Sequence, residues 1–209
     1  MILPLETNPE RWVRLPSVDS TNSYAMREHL PAGSVVTADR QTAGRGRMGR
    51  TWEATPGSLF FTGVLEFAPA LVPDERLSLF AILSGVAVLR AAATFVPGEY
   101  RIKEPNDVLV LRPSPGKVAG VLVESEITED LRRVFIGIGV NLVHAPPPLD
   151  SMYPPAALLP PDWLVAGRAP VSPDLFAGAL IVEINARLDQ MTAVHTPAFV
   201  GEAQQFSPG

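Results

Sequence analysis

Three short segments of this chain gather the residue types that handle anions. Gly44-Arg45-Gly46-Arg47-Met48-Gly49-Arg50 holds three glycines and three arginines in seven positions. Glycine lets a backbone turn with several N–H groups aimed at one anion, and arginine adds fixed charge on a forked donor. Such a loop suits folding over a phosphate or carboxylate. It is not the phosphate loop of the common nucleotide-binding folds, because no Gly-Lys-Ser/Thr follows. Taken alone it fits an exposed flexible loop, or a contact with RNA backbone, equally well. The other two segments are Lys103-Glu104-Pro105-Asn106-Asp107 and Gly116-Lys117-Val118-Ala119-Gly120. Of 17 basic residues 15 are Arg, so both lysines of the chain fall inside these segments. An ammonium is a compact point charge that approaches a phosphate or carboxylate oxygen more closely than a flat guanidinium.

Pro105, Asn106 and Asp107 are ordinary turn residues. Lys103 ends an apolar strand, shares a face with Arg101 and has Glu104 on the other face. Gly120 bares the backbone to a close neighbour, on the face opposite Lys117 by simple alternation. Either lysine by itself reads as a solvated strand end. Both together, with the arginine loop, make a cationic pocket.

These segments need elements to hold them. A helix over about 21–29 is expected, with Asp19 or Ser20 as its cap, followed by a strand at 34–39. A strand at 58–67 places Leu59, Phe61, Leu65 and Phe67 on one face at period two. Pro73-Asp74 opens a long apolar helix to about residue 95, closed by Pro97-Gly98. Further strands are expected at 100–103, 108–111, 117–127 and 134–142. In the last, Gly137, Gly139 and Asn141 share a face, leaving room for a ligand or a packed helix. Residues 145–161 hold seven prolines and read as an irregular connector. A final helix begins near Ser172-Pro173-Asp174 with Phe176, Leu180, Ile184 and Leu188 as its buried stripe, and Glu183 pairs with Arg187 on its exposed side. Short links between consecutive strands predict an α+β fold, a mixed and largely antiparallel sheet covered by helices.

Composition excludes several classes. With no cysteine, disulfides, thiolate nucleophiles and Cys-based zinc sites are ruled out. His29, His144 and His195 are far apart, so no tightly bound metal is expected. The formal charge of −5 opposes a broad nucleic-acid-covering face. No apolar run reaches the roughly 18 residues of a bilayer span, and the N-terminus, with Glu6 and Glu10 beside only short apolar stretches, is no signal peptide. A cytoplasmic protein that binds no membrane is expected.

The ordered set of Ser20-Thr21-Asn22, Gln41, the 44–50 loop with Trp52, Lys-x-Pro-Asn-Asp at 103–107, Gly-Lys-x-x-Gly-x-Leu at 116–122 and Gly-Ile-Gly-Val-Asn at 137–141 resembles the biotin–protein ligases over about 13–188. The resemblance implies the catalytic domain of the biotin/lipoate ligases, related to class II synthetases. It implies that biotin and ATP give biotinyl-AMP, and that biotin then passes to a lysine of a carrier domain such as that of acetyl-CoA carboxylase. Magnesium is expected as a co-substrate with ATP. By the same resemblance Lys103 and Arg47 are catalytic. Ser20, Thr21, Asn22, Gln41, Arg45, Gly46, Arg47 and Lys103 bind biotin. Arg45, Arg47, Arg50, Trp52, Asn106, Lys117 and Asn141 serve the nucleotide. Metal ligands are not assigned.

Three departures accompany the resemblance. Position 104 is usually Trp in that family and is Glu here, which carries a burial cost unless the carboxylate is paired or exposed. No DNA-binding domain precedes residue 13, so specific DNA binding is not expected. Residues 1–192 read as the catalytic unit, and 193–209 as a tail where a small β-barrel would follow. Two other readings stay open: a lipoate–protein ligase-like adenylating enzyme, and a module that binds biotin or nucleotide without turnover. An octanoyl transferase with a cysteine nucleophile is excluded by composition, and an RNA-binding protein is disfavoured by the acidic total.

Overall fold

From Leu59 to Phe67 only Thr62, Gly63 and Glu66 are not apolar. A run apolar on both faces belongs in a sheet covered on both sides, and the computed structural model places it near the centre of one. Residues 1–111, 114–147, 151–159, 162–163, 166–192 and 197–205 are described. The seven strands in chain order are β1 (Trp12–Leu15), β2 (Val35–Ala38), β3 (Leu59–Phe67), β4 (Tyr100–Lys103), β5 (Asp107–Val110), β6 (Gly116–Ile127) and β7 (Arg132–Val140). Across the sheet they run β1-β2-β3-β7-β6-β5-β4. Every pair is antiparallel except β1 with β2, so the sheet is mixed and largely antiparallel as expected. Strand β1 is an addition. Four residues beside Pro16 carry too little pattern to announce an edge strand.

One face of the sheet carries Leu59, Phe61, Leu65 and Phe67 of β3 with Val134, Ile136 and Ile138 of β7, all buried. Helices α2 (Leu79–Phe95), α3 (Pro173–Leu188) and α4 (Ala198–Gln205) build the core on that side. Helix α2 starts later than its sequence pattern implied, because Asp74–Arg76 form a separate 3₁₀ turn. By length and composition Asp74–Phe95 does pass as a bilayer span, with mean hydropathy 1.8, contrary to the sequence reading. It is 56% buried against the sheet and its neighbour helices, and a helix that is apolar all round is what such burial requires.

Helix α3 starts as expected, with Ser172 accepting a hydrogen bond from the Leu175 N–H at 3.1 Å and Pro173 in the first turn. Its stripe of Phe176, Leu180, Ile184 and Leu188 is buried. The Glu183–Arg187 pair forms at 2.6 Å, but Arg187 is only 8% exposed rather than on the solvent face. Helix α4 is the cause: Glu202 reaches Arg187 at 3.4 Å and Arg90 of α2 at 3.0 Å, joining three helices. Helix α4 lies in the segment beyond 192, and its Phe199 and Ala203 are fully buried in the same core. Within that segment 193–196 and 206–209, and with them His195, lie outside the described residues.

The other face of the sheet has much less cover. Helix α1 (Thr21–Arg27) packs Ala25 against Val36, Val64 and Phe135 in a small second cluster. Seven residues span about 10 Å, so the β4–β5–β6 side of this face stays open.

Tyr100 is buried, and its hydroxyl donates to the Val96 carbonyl at 2.8 Å. Burial pushes its pKa up to about 12. The folded state therefore holds this proton more tightly than the unfolded chain, whose tyrosine titrates near 10. Its contribution is fully present below about pH 10 and lost as pH rises toward 12. Alkaline titration of absorbance should show one tyrosine ionising about two units late, or only on unfolding, and Tyr100→Phe should remove that step.

Candidate active site

Strand register places the chemistry on the open face. Lys103 pairs with Asp107, Asp107 with Gly120, Gly120 with Gly139, and Gly139 with Phe60. Residues directly opposite share a face, so this row crosses the sheet as Lys, Asp, Gly, Gly. Two residues along β7, Gly137 pairs with Leu122 and with Thr62. The glycines are needed because other side chains lie flat on them. A Cβ at Gly139 would stand 2.4 Å from Trp52, and one at Gly120 would stand 2.8 Å from it. At Gly137 it would stand 2.6 Å from Asn22 Oδ1. The space between ligand and packed helix is thus resolved by Asn22 and Trp52.

A cavity of about 310 Å³ opens over these rows. All thirteen residues singled out from sequence line it: Ser20, Thr21, Asn22, Gln41, Arg45, Gly46, Arg47, Arg50, Trp52, Lys103, Asn106, Lys117 and Asn141. One end is neutral. Ser20, Thr21 and Asn22 open α1 and are at most 5% exposed. Ser20 occupies the cap position without capping through its side chain. Instead Gln41 Oε1 accepts from the Thr21 N–H at 2.8 Å, so the cap comes from another loop. Asp19 accepts from the Ser20 N–H at 2.8 Å and from Arg27 at 3.1 Å. These contacts, the backbone one first, hold its carboxyl below the usual carboxylate range.

The other end is cationic. Asp107 lies between the two lysines, 2.7 Å from Lys117 Nζ and 3.5 Å from Lys103 Nζ. Lys117 was expected on the face opposite Gly120, and the structure corrects this. A bulge between Val108 and Leu109 shifts the register, and the extra residue turns Lys117 toward the site. Its Nζ comes 5.2 Å from the centre of the Trp52 ring. The 44–52 segment folds back as a narrow hairpin over the cavity. Trp52 N–H donates to the Gly44 carbonyl at 2.9 Å and Gly46 N–H to the Arg50 carbonyl at 2.7 Å. Arg45 reaches Glu124 at 2.6 Å, and Arg47 donates to Asn106 Oδ1 at 3.2 Å. Glu104 is exposed, so it carries no burial cost.

Sequence reasoning passed over three groups. Asp107 read as a turn former, although its place opposite Lys103 in a tight hairpin was a usable signal. Thr62, fully buried, donates to Asn22 Oδ1 at 2.6 Å. Nothing in an apolar strand marked it. The proline-rich connector, read as irregular, also lines the site with Met152, Tyr153 and Pro155, pinned by the Lys117 N–H to the Pro154 carbonyl at 2.8 Å. Among the described residues four buried polar side-chain atoms lack a hydrogen-bond partner, and two of them, Trp52 Nε1 and Asn141 Oδ1, belong to residues that line this cavity.

The sequence profile of the Biotin/lipoate A/B protein ligase family matches residues 15–141, more than half of the chain. The chain belongs to this family. Among relatives, a biotin–[acetyl-CoA-carboxylase] ligase of Mycobacterium tuberculosis is 35% identical over 161 residues, covering 76% of this chain and 55% of its own length. A bifunctional ligase/repressor of Bacillus subtilis is 34% identical over 133 residues, covering 63% of this chain and 39% of its own length. The chain thus aligns with about half, or less, of these relatives. The biotin protein ligase of Leishmania major, solved with biotinyl-5-AMP, superposes with a TM-score of 0.75 at 23% identity, covering 96% of this chain and 83% of that one. At that identity the match speaks for the fold, the mixed sheet with its helices.

In this member of the family Gly137 holds Asn22 in place by having no side chain. Gly137→Ala should displace Asn22 and, on the biotin reading proposed below, weaken biotin by at least roughly ten-fold, the scale of one lost buried hydrogen bond. Calorimetric titration checks the affinity, and an unshifted melting temperature shows that the core is intact.

Proposed function

We propose that this chain activates biotin with ATP and transfers it to a lysine on the carrier domain of a biotin-dependent carboxylase, such as acetyl-CoA carboxylase. The observation that carries the reading is the two-ended cavity, neutral hydrogen-bonding groups at one end and five cations at the other. Biotin has that shape of polarity. Its ureido ring needs neutral donors and acceptors together, which Ser20, Thr21, Asn22 and Gln41 supply. Its carboxylate must be brought up to the α-phosphate of ATP, where Lys103, Arg45 and Arg47 offset the repulsion between two anions. The dithiolane of lipoate offers no comparable hydrogen-bonding groups, so it would forgo the bonds these side chains offer to a ureido ring.

In the first step a biotin carboxylate oxygen attacks the α-phosphorus and pyrophosphate leaves with the bridging oxygen. Lys103 holds both the carboxylate and the α-phosphate and stabilises the added charge, with Arg47 beside it. Trp52, Asn106, Lys117, Arg50 and Asn141 serve the nucleotide, and Asn141 Oδ1 is an acceptor available to a ligand N–H. Magnesium arrives with the triphosphate. The carboxylates of the cavity are Glu53 and Asp107, and with Asp107 committed to two lysines they do not form a cage that retains the ion without nucleotide. In the second step the carrier amine attacks the acyl carbon and AMP departs. The reading places the protein in the cytoplasm, with ATP and the carboxylases.

Purified protein with ATP, magnesium and biotin should exchange labelled pyrophosphate into ATP. Equal exchange with lipoate would favour the lipoate-ligase reading, and none with either acid would favour a module without turnover. Lys103→Met should lower exchange on the order of 10²–10³-fold, the loss typical of one transition-state charge stabiliser. Lys103 is an exposed strand-end residue, so the variant should melt like the parent. A folded variant with an unchanged rate would make Lys103 a surface charge only.

A further inference from the structure

Glu124 has no part in the chemistry just proposed, yet it touches both ends of the machinery. One carboxylate oxygen, Oε2, accepts from Asn22 Nδ2 at 2.8 Å and from Arg45 Nη2 at 2.6 Å. The first bond decides which way round the Asn22 amide sits. Its Nδ2 faces the Leu122 carbonyl, at 3.3 Å, and the Glu124 carboxylate, neither of which has a proton to give. Oδ1 must therefore face Thr62, whose hydroxyl donates to it at 2.6 Å. The same hydroxyl lies 2.8 Å from that of Thr21, which donates its own proton to Gln41 Oε1 at 3.1 Å. Gln41 Oε1 takes the Thr21 N–H, leaving the Gln41 amide N–H groups pointing elsewhere. The orientation of the Asn22 amide thus follows from one carboxylate, while Gln41 is set by a backbone N–H. The same oxygen holds the first arginine of the hairpin over the cavity. An exposed ion pair alone would contribute little, and the side chains of Arg45 and Glu124 are 42% and 25% exposed. Here the shared oxygen is also tied to Asn22, which is 3% exposed.

We infer that Glu124 is a positioning residue that latches the 44–52 hairpin to the neutral end of the cavity, setting the closed hairpin and the acid-selecting amide of Asn22 together. The part concerning the acid rests on the reading of biotin as substrate; the latch does not. Hydrogen exchange across 44–52 in the ligand-free protein reads the latch, and pyrophosphate exchange at varied biotin or ATP reads the consequence. Glu124→Gln keeps shape and removes charge, while Glu124→Asp is too short to reach both partners. Each should speed exchange of the hairpin several-fold and raise the KM for biotin on the order of ten-fold, the loss expected when a charge-assisted bond is weakened. The KM for ATP should rise as well, because Arg50 and Trp52 ride on the same hairpin, while the melting temperature should stay at the parent value, which a general loss of structure would not spare. In Arg45→Ala protein, Glu124→Gln should add nothing further to hairpin exchange, because both changes open one latch. Hairpin exchange unchanged by Glu124→Gln, or effects of the two changes that multiply, would overturn the inference. A hairpin that loosens in a protein whose parent binds no biotin would overturn the proposed function and leave the latch standing.

Discussion

A seven-stranded sheet has two faces to cover, and here the three longer-reaching helices all lie on one of them. Among the described residues the one α-helix on the other face is α1, of seven residues. An apolar strip left bare would be a liability in water, and in this chain it is not apolar. Gly120, Gly137 and Gly139 remove side chains where cover is missing, and Trp52 and Asn22 are drawn down onto the backbone instead. The cavity is what remains between those two side chains and the ends of β4, β5 and β6. The site is therefore a consequence of uneven covering, and its polarity follows from what each border supplies: a helix start on one side, strand ends bearing lysines on the other.

Crowding five cations around one cavity sets a second constraint. Without counter-charges they repel across distances at which solvent screening is incomplete. The fold meets this with carboxylates on the same sheet, Asp107 between Lys103 and Lys117, and Glu124 against Arg45. Anions built into an anion site look contradictory until their positions are considered. Each reaches its cations from the sheet side, so the cations stay oriented when the cavity is open. An incoming carboxylate and phosphate then meet groups already placed, and placement before the reaction is what makes such charges effective in stabilising a transition state.

How much of this was legible in the sequence depended on range. Ser20 to Asn22, Gln41 and Asn141 were marked as site residues by the family resemblance, whereas the glycine–arginine segment and the two lysines could be picked out because residue type and local spacing carry their chemistry. The strands were legible for the same reason, and the largely antiparallel sheet followed from their short links. What was hidden depends on contacts between distant segments. Lys117 was put on the wrong face because simple alternation fails at a bulge, and the bulge between Val108 and Leu109 belongs to the pairing of β5 with β6. Arg187 was read as exposed because the helix that covers it, α4, begins eleven residues later and packs on through Phe199. Thr62 looked like an imperfection in an apolar strand. Its role appears only when Asn22, forty residues earlier in the chain, lies across β7 from it.

The same uneven covering bears on selectivity between acids of similar size. Biotin and lipoate both end in an aliphatic carboxylate, so the cationic end of the cavity cannot tell them apart. Discrimination has to come from the neutral end, and it is strong only where buried polar groups are left unpaired by the wrong ligand. That condition requires the amides to be unable to turn and satisfy one another. Asn22 is held on both sides, by Thr62 at its oxygen and by Glu124 and the Leu122 carbonyl at its nitrogen. Gln41 is held through its oxygen by the start of α1. An amide fixed in this way offers a ligand one orientation only, so a ring that cannot match it loses hydrogen bonds the free protein made with water. Rigid polar groups, more than the number of them, are what would give this cavity its preference for a ureido ring.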